Sequence, residues 1–516
     1  MRKVCNPIIS GFYPDPSICR VGDDYYLVNS SFAYFPGIPV FHSRDLEHWN
    51  QIGNAIDRTD QIKLDKCLVS QGIYAPTIRY HKGLFYIITT NVPDGGNFII
   101  TAEDPAGPWS DAYMLGDAAP GIDPSLFFDE DDKCYYIGTR PNSEGEKYFG
   151  NWEIYIQEVD LTQMKLTGQS SSVWQGAMRN AYWPEGPHLY KKEGYYYILT
   201  AEGGTERNHS IMVVRSKSIL GPYEGDPKNP ILTHRHLGKD YPVQCVGHGD
   251  LVQTQEEKWY MVMLGMRPCK GFTSLGRETF LAKVNWEEGW PVVNQGIGKL
   301  EEYVTLPDRL IEISNKVEKE VYGFRNGILT QNLVSLRGGL RAADLNERSG
   351  WVRLYAGSRS FSDICPVSMI GVRQKGYHYC VRTKMEFEPE TEGEKAGLVL
   401  FQNEESNLMI YKKYHPEGDL LTVESKDGKC NSTMAQMLVH GGVLEIKFIA
   451  QEQKGELFFR YEGDREFHLL ADNIDLCRYS TEAAGGFTGC ILGVFVLGEA
   501  NVKADFKHLI YETLVL

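Results

Sequence analysis

The sequence has no apolar run long enough to cross a membrane. Its most apolar segments, GLFYIITT (83–90) and KWYMVMLGM (258–266), fall far short of the ~20 residues a spanning helix needs. MRKVCNPII at the start carries two basic residues but no apolar stretch of the ~7–15 residues typical of a secretory signal, so a cytoplasmic protein is expected. The 11 cysteines are odd in number, scattered, and include no C-x-x-C pair. This argues against a disulfide framework and against a zinc knuckle, and leaves buried, reduced thiols as the expectation. Net positive charge is lacking too. A formal balance of −15 excludes nucleic acid and anionic membrane as expected partners and suits a neutral substrate. Nor is there a convincing amphipathic helix in the first 300 residues.

Aromatic residues are abundant, with 30 Tyr, 22 Phe and 9 Trp in 516 residues, a length that favours two or three domains. One pattern recurs five times: YPDPSICRVGDDYYLVNS from Tyr13, YAPTIRYHKGLFYIITT from Tyr74, GIDPSLFFDEDDKCYYIGT from Gly121, WPEGPHLYKKEGYYYILTA from Trp183 and GHGDLVQTQEEKWYMVML from Gly247. Each unit is a small or acidic residue, a short apolar strand, a polar turn and an aromatic, β-branched strand, which is a hairpin signature. A downstream echo, FHSRDLEHW from Phe41, TAEDPAGPW from Thr101 and RSKSILGPY from Arg215, supplies a third strand. Hairpin starts at Asp15, Ala75, Asp123, Glu185 and His248 are 60, 48, 62 and 63 residues apart. Five such sheets are best satisfied by radial packing into a five-bladed β-propeller, with a pair of β-sandwiches as the alternative.

After the repeats the pattern becomes plain alternation. VRTKMEF from Val381, LEIKF from Leu444 and VKADFK from Val502 each put apolar residues on one face and charges on the other, giving roughly eight strands of an antiparallel β-sandwich. The expected organisation of this all-β chain is a propeller over 1–305, a connector over 306–320 and an accessory, concanavalin- or jelly-roll-like sandwich over 321–516.

In a propeller the first strand of each blade is innermost, so the five hairpin starts converge on the central channel. Three carboxylates and an imidazole would meet there, where packing alone would favour small apolar residues. Two carboxyl groups facing one small cavity are the minimum equipment for breaking a glycosidic bond. One protonates the leaving oxygen and the other, in an inverting enzyme, activates water from ~6.5–9.5 Å away. Glu185 follows Trp183 and Pro184, an apolar and stiff setting that suits a protonated acid. Asp15 and Asp123 each precede proline, which predicts extended backbones.

YPDPSI, GIDPSLFF and WPEGPHLYKKEGYYYILTAEGGT closely resemble glycoside hydrolase family 43, the five-bladed β-xylosidases and α-L-arabinofuranosidases. GFTGCILG from Gly486 and residues 371–412 resemble the accessory sandwich of its xylosidase branch, so the likeness covers nearly the whole chain. The resemblance implies Asp15 as general base, Glu185 as general acid and Asp123 as the group that raises the acid's pKa. It implies that Arg277 holds sugar hydroxyls, that Thr205 lies in the pocket wall, and that His248 neighbours a calcium ion. No cofactor is implied for the chemistry itself. Tyr74, Phe32 and Phe487 are candidate sugar-packing aromatics. The sequence departs from the family at Ile73-Tyr74, where a tryptophan is common, and at His248-Gly249-Asp250. The His234-Arg235-His236 run is expected at the solvated surface.

The expected activity is exo-acting, inverting release of xylose or arabinose from small oligosaccharides. The alternatives are an endo-arabinanase-like hydrolase, against which the accessory sandwich argues, and a non-catalytic propeller lectin. A retaining sucrose or fructan hydrolase would show NDPxG and RDP elements, and PDPSI without RDP does not match. Whether the chain forms a homo-oligomer is not readable.

Overall fold

The computed structural model describes residues 2–307, 319–324 and 329–514. Five antiparallel sheets fill the N-terminal part of the chain. Their inner strands are Ser17–Val21, Thr77–His81, Ile122–Phe128, Glu185–Lys192 and Gln244–Gln253, and each blade continues outward through strands such as Asp24–Val28 and Gly37–Ser43 in the first. Consecutive inner strands neighbour one another around a ring, and the first also neighbours the fifth. This is a five-bladed β-propeller.

The ring closes without a strand shared inside one blade. Arg2–Cys5 pairs instead with Tyr303–Leu306, bringing both ends of the propeller together beside the fifth blade. Asn6 locks the closure. Its amide donates to the carbonyls of Leu281 (2.8 Å) and Glu301 (2.9 Å) and accepts from the N–H of Leu281 (2.9 Å). Val4, Ile18 and Leu27 then share one core with Val262, Leu281 and Val304.

The C-terminal domain is a sandwich of two eight-stranded sheets, one of which includes Tyr34–Phe35 from the propeller, paired to Val334–Leu336. About eight strands were expected from alternation. Val367–Arg373 and Ile491–Leu497 escaped because they are buried on both faces and therefore lack a period of two. Ile491–Leu497 is buried at every position: Leu492, Val494 and Val496 face the sandwich core, while Ile491, Phe495 and Leu497 face Phe12, Phe32 and Tyr34 of the propeller. Where alternation was read it holds, with Val381, Thr383, Met385 and Phe387 all buried. Most of the expected connector, 306–320, lies outside the described residues.

Helix is confined among the described residues to Thr481–Ala484 and three short 3-10 turns. No described helix is long and apolar enough to cross a membrane. All eleven cysteines are unpaired, but Cys5 and Cys430 are exposed rather than buried, because each lies on a strand with an open face.

Candidate active site

Four of the five inner strands open with a backbone distortion at or near the residue that faces the channel. Asp15, Asp123 and His248 have φ of +51°, +51° and +50°, a region unfavourable to most L-residues but tolerated by Asp and His. Register slips follow at Ile122/Ser125, Glu185/His188 and Gln244/Gly247. The extended backbone expected for the two pre-proline aspartates is therefore corrected. Proline excludes the right-handed helical region, and both residues leave it towards the left-handed side, which turns the carboxylate out of the pleat. At Gly186 (φ +56°) a Cβ would stand 2.8 Å from the His248 ring, so only glycine lets that ring pack beside Glu185.

All nine residues singled out from the sequence line one cavity of about 200 Å³: Asp15, Asp123, Glu185, Arg277, Thr205, Tyr74, Phe32, Phe487 and His248. Asp15 is buried and held from two sides. Ser30 Oγ donates to Oδ2 at 2.6 Å and Arg277 donates to Oδ1 at 2.9 Å. Arg277 also donates to Thr205 Oγ1 at 3.1 Å, and its guanidinium lies 5.6 Å from the Phe32 ring centre and 5.8 Å from that of Phe487. Tyr74 packs on Phe32 with ring centres 5.2 Å apart. Phe487 comes from the sandwich; its N–H donates to Ser70 Oγ (2.9 Å) and its ring stacks on Phe32. The second domain thus supplies part of the wall.

The three carboxyl groups differ electrostatically. Burial, reinforced by the charges of Asp123 and Asp15 and opposed by Arg277, pushes Glu185 well above the usual carboxylate range. Asp123 is lifted to about 6, first by burial and then by Asp15, against the opposing pull of His248 and of the Gly186 N–H at 3.2 Å. A carboxyl whose proton is held more tightly than usual therefore shares one cavity with an Asp15 paired to arginine.

Sequence reasoning missed Trp152 and His209, which also line the cavity, and Ser30. Trp152 begins an outer strand and His209 precedes one, positions that no hairpin start marks. Burial pushes His209 down to about 3, so it is a neutral wall, with Nδ1 3.0 Å from the carbonyl oxygen of Cys245. His234, expected at the surface, is buried: Leu300 N–H donates to Nε2 (2.9 Å) and Nδ1 is 2.8 Å from the Val243 oxygen, so it serves as a core fastener.

The calcium ion expected beside His248 meets an unsuitable donor set. Calcium takes about 6–8 oxygen ligands. Asp250, two residues along the strand, already accepts from Ser17 Oγ (2.7 Å), the Ile18 N–H (3.0 Å), Arg79 (2.9 and 3.3 Å) and Tyr190 Oη (2.5 Å). The Arg79 guanidinium is thus the resident cation of the channel floor, and His188, pushed down to about 3 by burial, sits neutral 3.0 Å from it. The Asp15 oxygen nearest His248, 4.0 Å away, is taken by Arg277.

The model of glycosyl hydrolases family 43 matches residues 4–291, and that of the β-xylosidase C-terminal concanavalin A-like domain matches 322–512. A xylosidase/arabinosidase of Butyrivibrio fibrisolvens is 48% identical, with 98% of each chain covered. A non-reducing end α-L-arabinofuranosidase of Bacteroides ovatus is 37% identical over 97% of this chain and 93% of its own. Among solved structures, a xylan β-1,4-xylosidase from Bacillus halodurans superposes with a TM-score of 0.92 at 35% identity, covering 99% of this chain and 100% of its own. Family models spanning both domains and relatives matched end to end establish that the chain belongs to glycoside hydrolase family 43 and is a glycosidase.

Proposed function

We propose that this glycosidase removes single xylose or arabinose units from the non-reducing ends of xylo-oligosaccharides or arabinoxylan fragments, with inversion. The observation that carries the reading is the small cavity holding one carboxyl, Glu185, pushed well above the usual carboxylate range by burial and another, Asp15, paired to Arg277. Exo action is supported by Phe487, which the sandwich adds to the wall of a cavity with room for one sugar ring. The names of the relatives support both sugars.

In this mechanism Glu185 donates its proton to the glycosidic oxygen as the bond to the anomeric carbon breaks. Asp15 takes a proton from the water that attacks the opposite face, and its carboxylate is aimed for this by Ser30 and Arg277. Asp123 remains unreactive and keeps Glu185 protonated through its charge. Arg277 holds ring hydroxyls, and Phe32, Tyr74 and Phe487 exclude water from the apolar side.

The test is leaving-group dependence in two variants. Asp15→Ala is expected to lose ~10²–10⁴-fold on every substrate, because water activation is lost. Glu185→Ala is expected to lose as much on xylobiose and far less on activated aryl glycosides, with NMR of the first wild-type product showing the inverted anomer. Equal damage to both substrate classes in Glu185→Ala overturns the acid assignment.

A further inference from the structure

Arg373, at the end of the sandwich strand Val367–Arg373, is the largest fully buried side chain among the described residues. It forms no ion pair with any described carboxylate, its hydrogen bond to Tyr13 Oη is long at 3.5 Å, and its Nε has no hydrogen-bond partner among the described residues. A charge buried without a counter-charge is costly and rare. What Arg373 does meet is an aromatic face. Its guanidinium carbon stands 4.5 Å from the centre of the Tyr13 ring, and Phe41 meets the same ring edge to face at 5.2 Å. A desolvated guanidinium in that place is held by the ring's quadrupole. The backbone of Tyr13 belongs to the catalytic site. Its N–H donates to the Arg277 carbonyl (3.1 Å), and its carbonyl accepts from Thr279 Oγ1 (2.7 Å) and Asn29 Nδ2 (3.0 Å), which also donates to the Pro14 carbonyl (2.9 Å). Asp15 follows, with its φ of +51°. A left-handed residue of this kind persists only where its surroundings over-determine it. The sandwich also presses on this segment at Gly11, where a Cβ would stand 2.6 Å from the Gln374 carbonyl oxygen.

We infer that Arg373 is a positioning residue for the base: by clamping the Tyr13 ring it fixes the backbone from which the Asp15 carboxylate is aimed at the attacking water. The inference rests on Asp15 being the base. Ser30 and Arg277 hold the tip of that carboxylate, yet both are tied to the same backbone, since the Ser30 N–H donates to the Pro14 carbonyl (3.2 Å) and the Arg277 carbonyl accepts from Tyr13. Base, partners and Tyr13 therefore shift as one unit, and the contact that holds this unit from outside the propeller is a cation on the second domain. An apolar side chain could fill the space of Arg373 but would not attract the ring face. Misplacing a base by a fraction of an ångström costs rate in the transition state rather than affinity for the bound sugar.

Arg373→Met, Arg373→Lys, Tyr13→Leu and the double variant of Arg373→Met with Tyr13→Leu, all in the full chain, are to be compared with the parent on xylobiose and on an activated aryl xyloside, well below their melting points. The expected result for Arg373→Met is a roughly tenfold lower kcat on both substrates with KM unchanged, because both need the same activated water. Arg373→Lys, which keeps the cation, recovers most of the loss, and the double variant is no slower than Tyr13→Leu alone. Parental kcat in Arg373→Met, even with a lowered melting point, overturns the clamp and leaves Arg373 as interdomain packing. A loss that lysine does not recover, or losses that multiply in the double variant, overturns it too. Arg373→Gln takes the place of Arg373→Met in the same cycle if the methionine variant does not fold. The base assignment fails separately, by an Asp15→Ala enzyme that keeps its turnover.

Discussion

The backbone N–H of Gly186 donates to Asp123 Oδ2 at 3.2 Å, so the residue that follows Glu185 is anchored on the carboxylate that perturbs it. Position and charge are thus delivered by one group. Asp123→Asn keeps an oxygen for Gly186 and removes the charge. Glu185 then ionises at lower pH, and the alkaline limb of the kcat/KM profile moves down by roughly one pH unit. An unmoved limb with activity lost uniformly would make Asp123 a structural residue only.

Keeping a buried acid protonated costs stability. Unfolded, Glu185 ionises near ~4.3; folded, burial and its acidic neighbours hold the proton on well above that. The unfolded chain therefore gains from ionisation as pH rises through ~4.3 while the folded chain does not, and stability falls until the folded pKa is reached. Glu185→Gln abolishes this term. The variant is expected to melt higher than the parent at pH 7, by ~2–4 °C for each ~1 kcal/mol relieved, with the difference vanishing below pH ~4. Melting curves at both pH values check the sign.

The five hairpin starts were legible because a propeller repeats one strand pattern, and that register alone brings residues 15, 123, 185 and 248 to a common axis. What the pattern does not encode is how each side chain leaves its strand. The left-handed φ of Asp123 falls within a register slip of its ladder, and that of Asp15 falls just before its strand begins at Ser17, features that strand alternation does not carry. Phe487 was legible through the family's sandwich motif. Trp152 was not, since a residue that reaches the cavity from an outer strand carries no signal of its own. The doubly buried strands Val367–Arg373 and Ile491–Leu497 lost their alternation for the same kind of reason, because a second domain covers the face that would have been wet.

Asp250 holds the Arg79 guanidinium as its cation through two hydrogen bonds of 2.9 and 3.3 Å. Asp250 is held far below the usual carboxylate range by Arg79 and His188 in spite of its burial, and it accepts from three blades at once. Chelators are therefore expected to leave kcat/KM unchanged, whereas Arg79→Ala strands a buried charge and costs ~3–5 kcal/mol. A rate that falls on chelation and returns with added calcium would overturn this account. Because the folded pKa of Asp250 is depressed, its contribution is present above the unfolded value of ~3.9 and is lost as pH falls further.

The interface between the two domains separates stability from function at two residues. Arg337 of the sandwich is buried, donates to the Cys67 carbonyl at 2.5 Å and pairs with Glu404, which itself accepts from the Val69 N–H at 2.8 Å. Arg337→Ala leaves Glu404 unpaired in the interior and is expected to lower stability by ~3–5 kcal/mol. Phe487 is 41% exposed and touches the propeller mainly through its backbone and one stacked ring, so Phe487→Ala should barely move the melting point. Its ring nevertheless covers Arg277 and Phe32 on the sugar side, and its loss opens the cavity to water. The expected outcome is a raised KM for every substrate, including methyl β-xyloside, which distinguishes this wall from the clamp at Arg373, whose loss lowers kcat. A Phe487→Ala enzyme with parental KM would mean that the sandwich only braces the propeller.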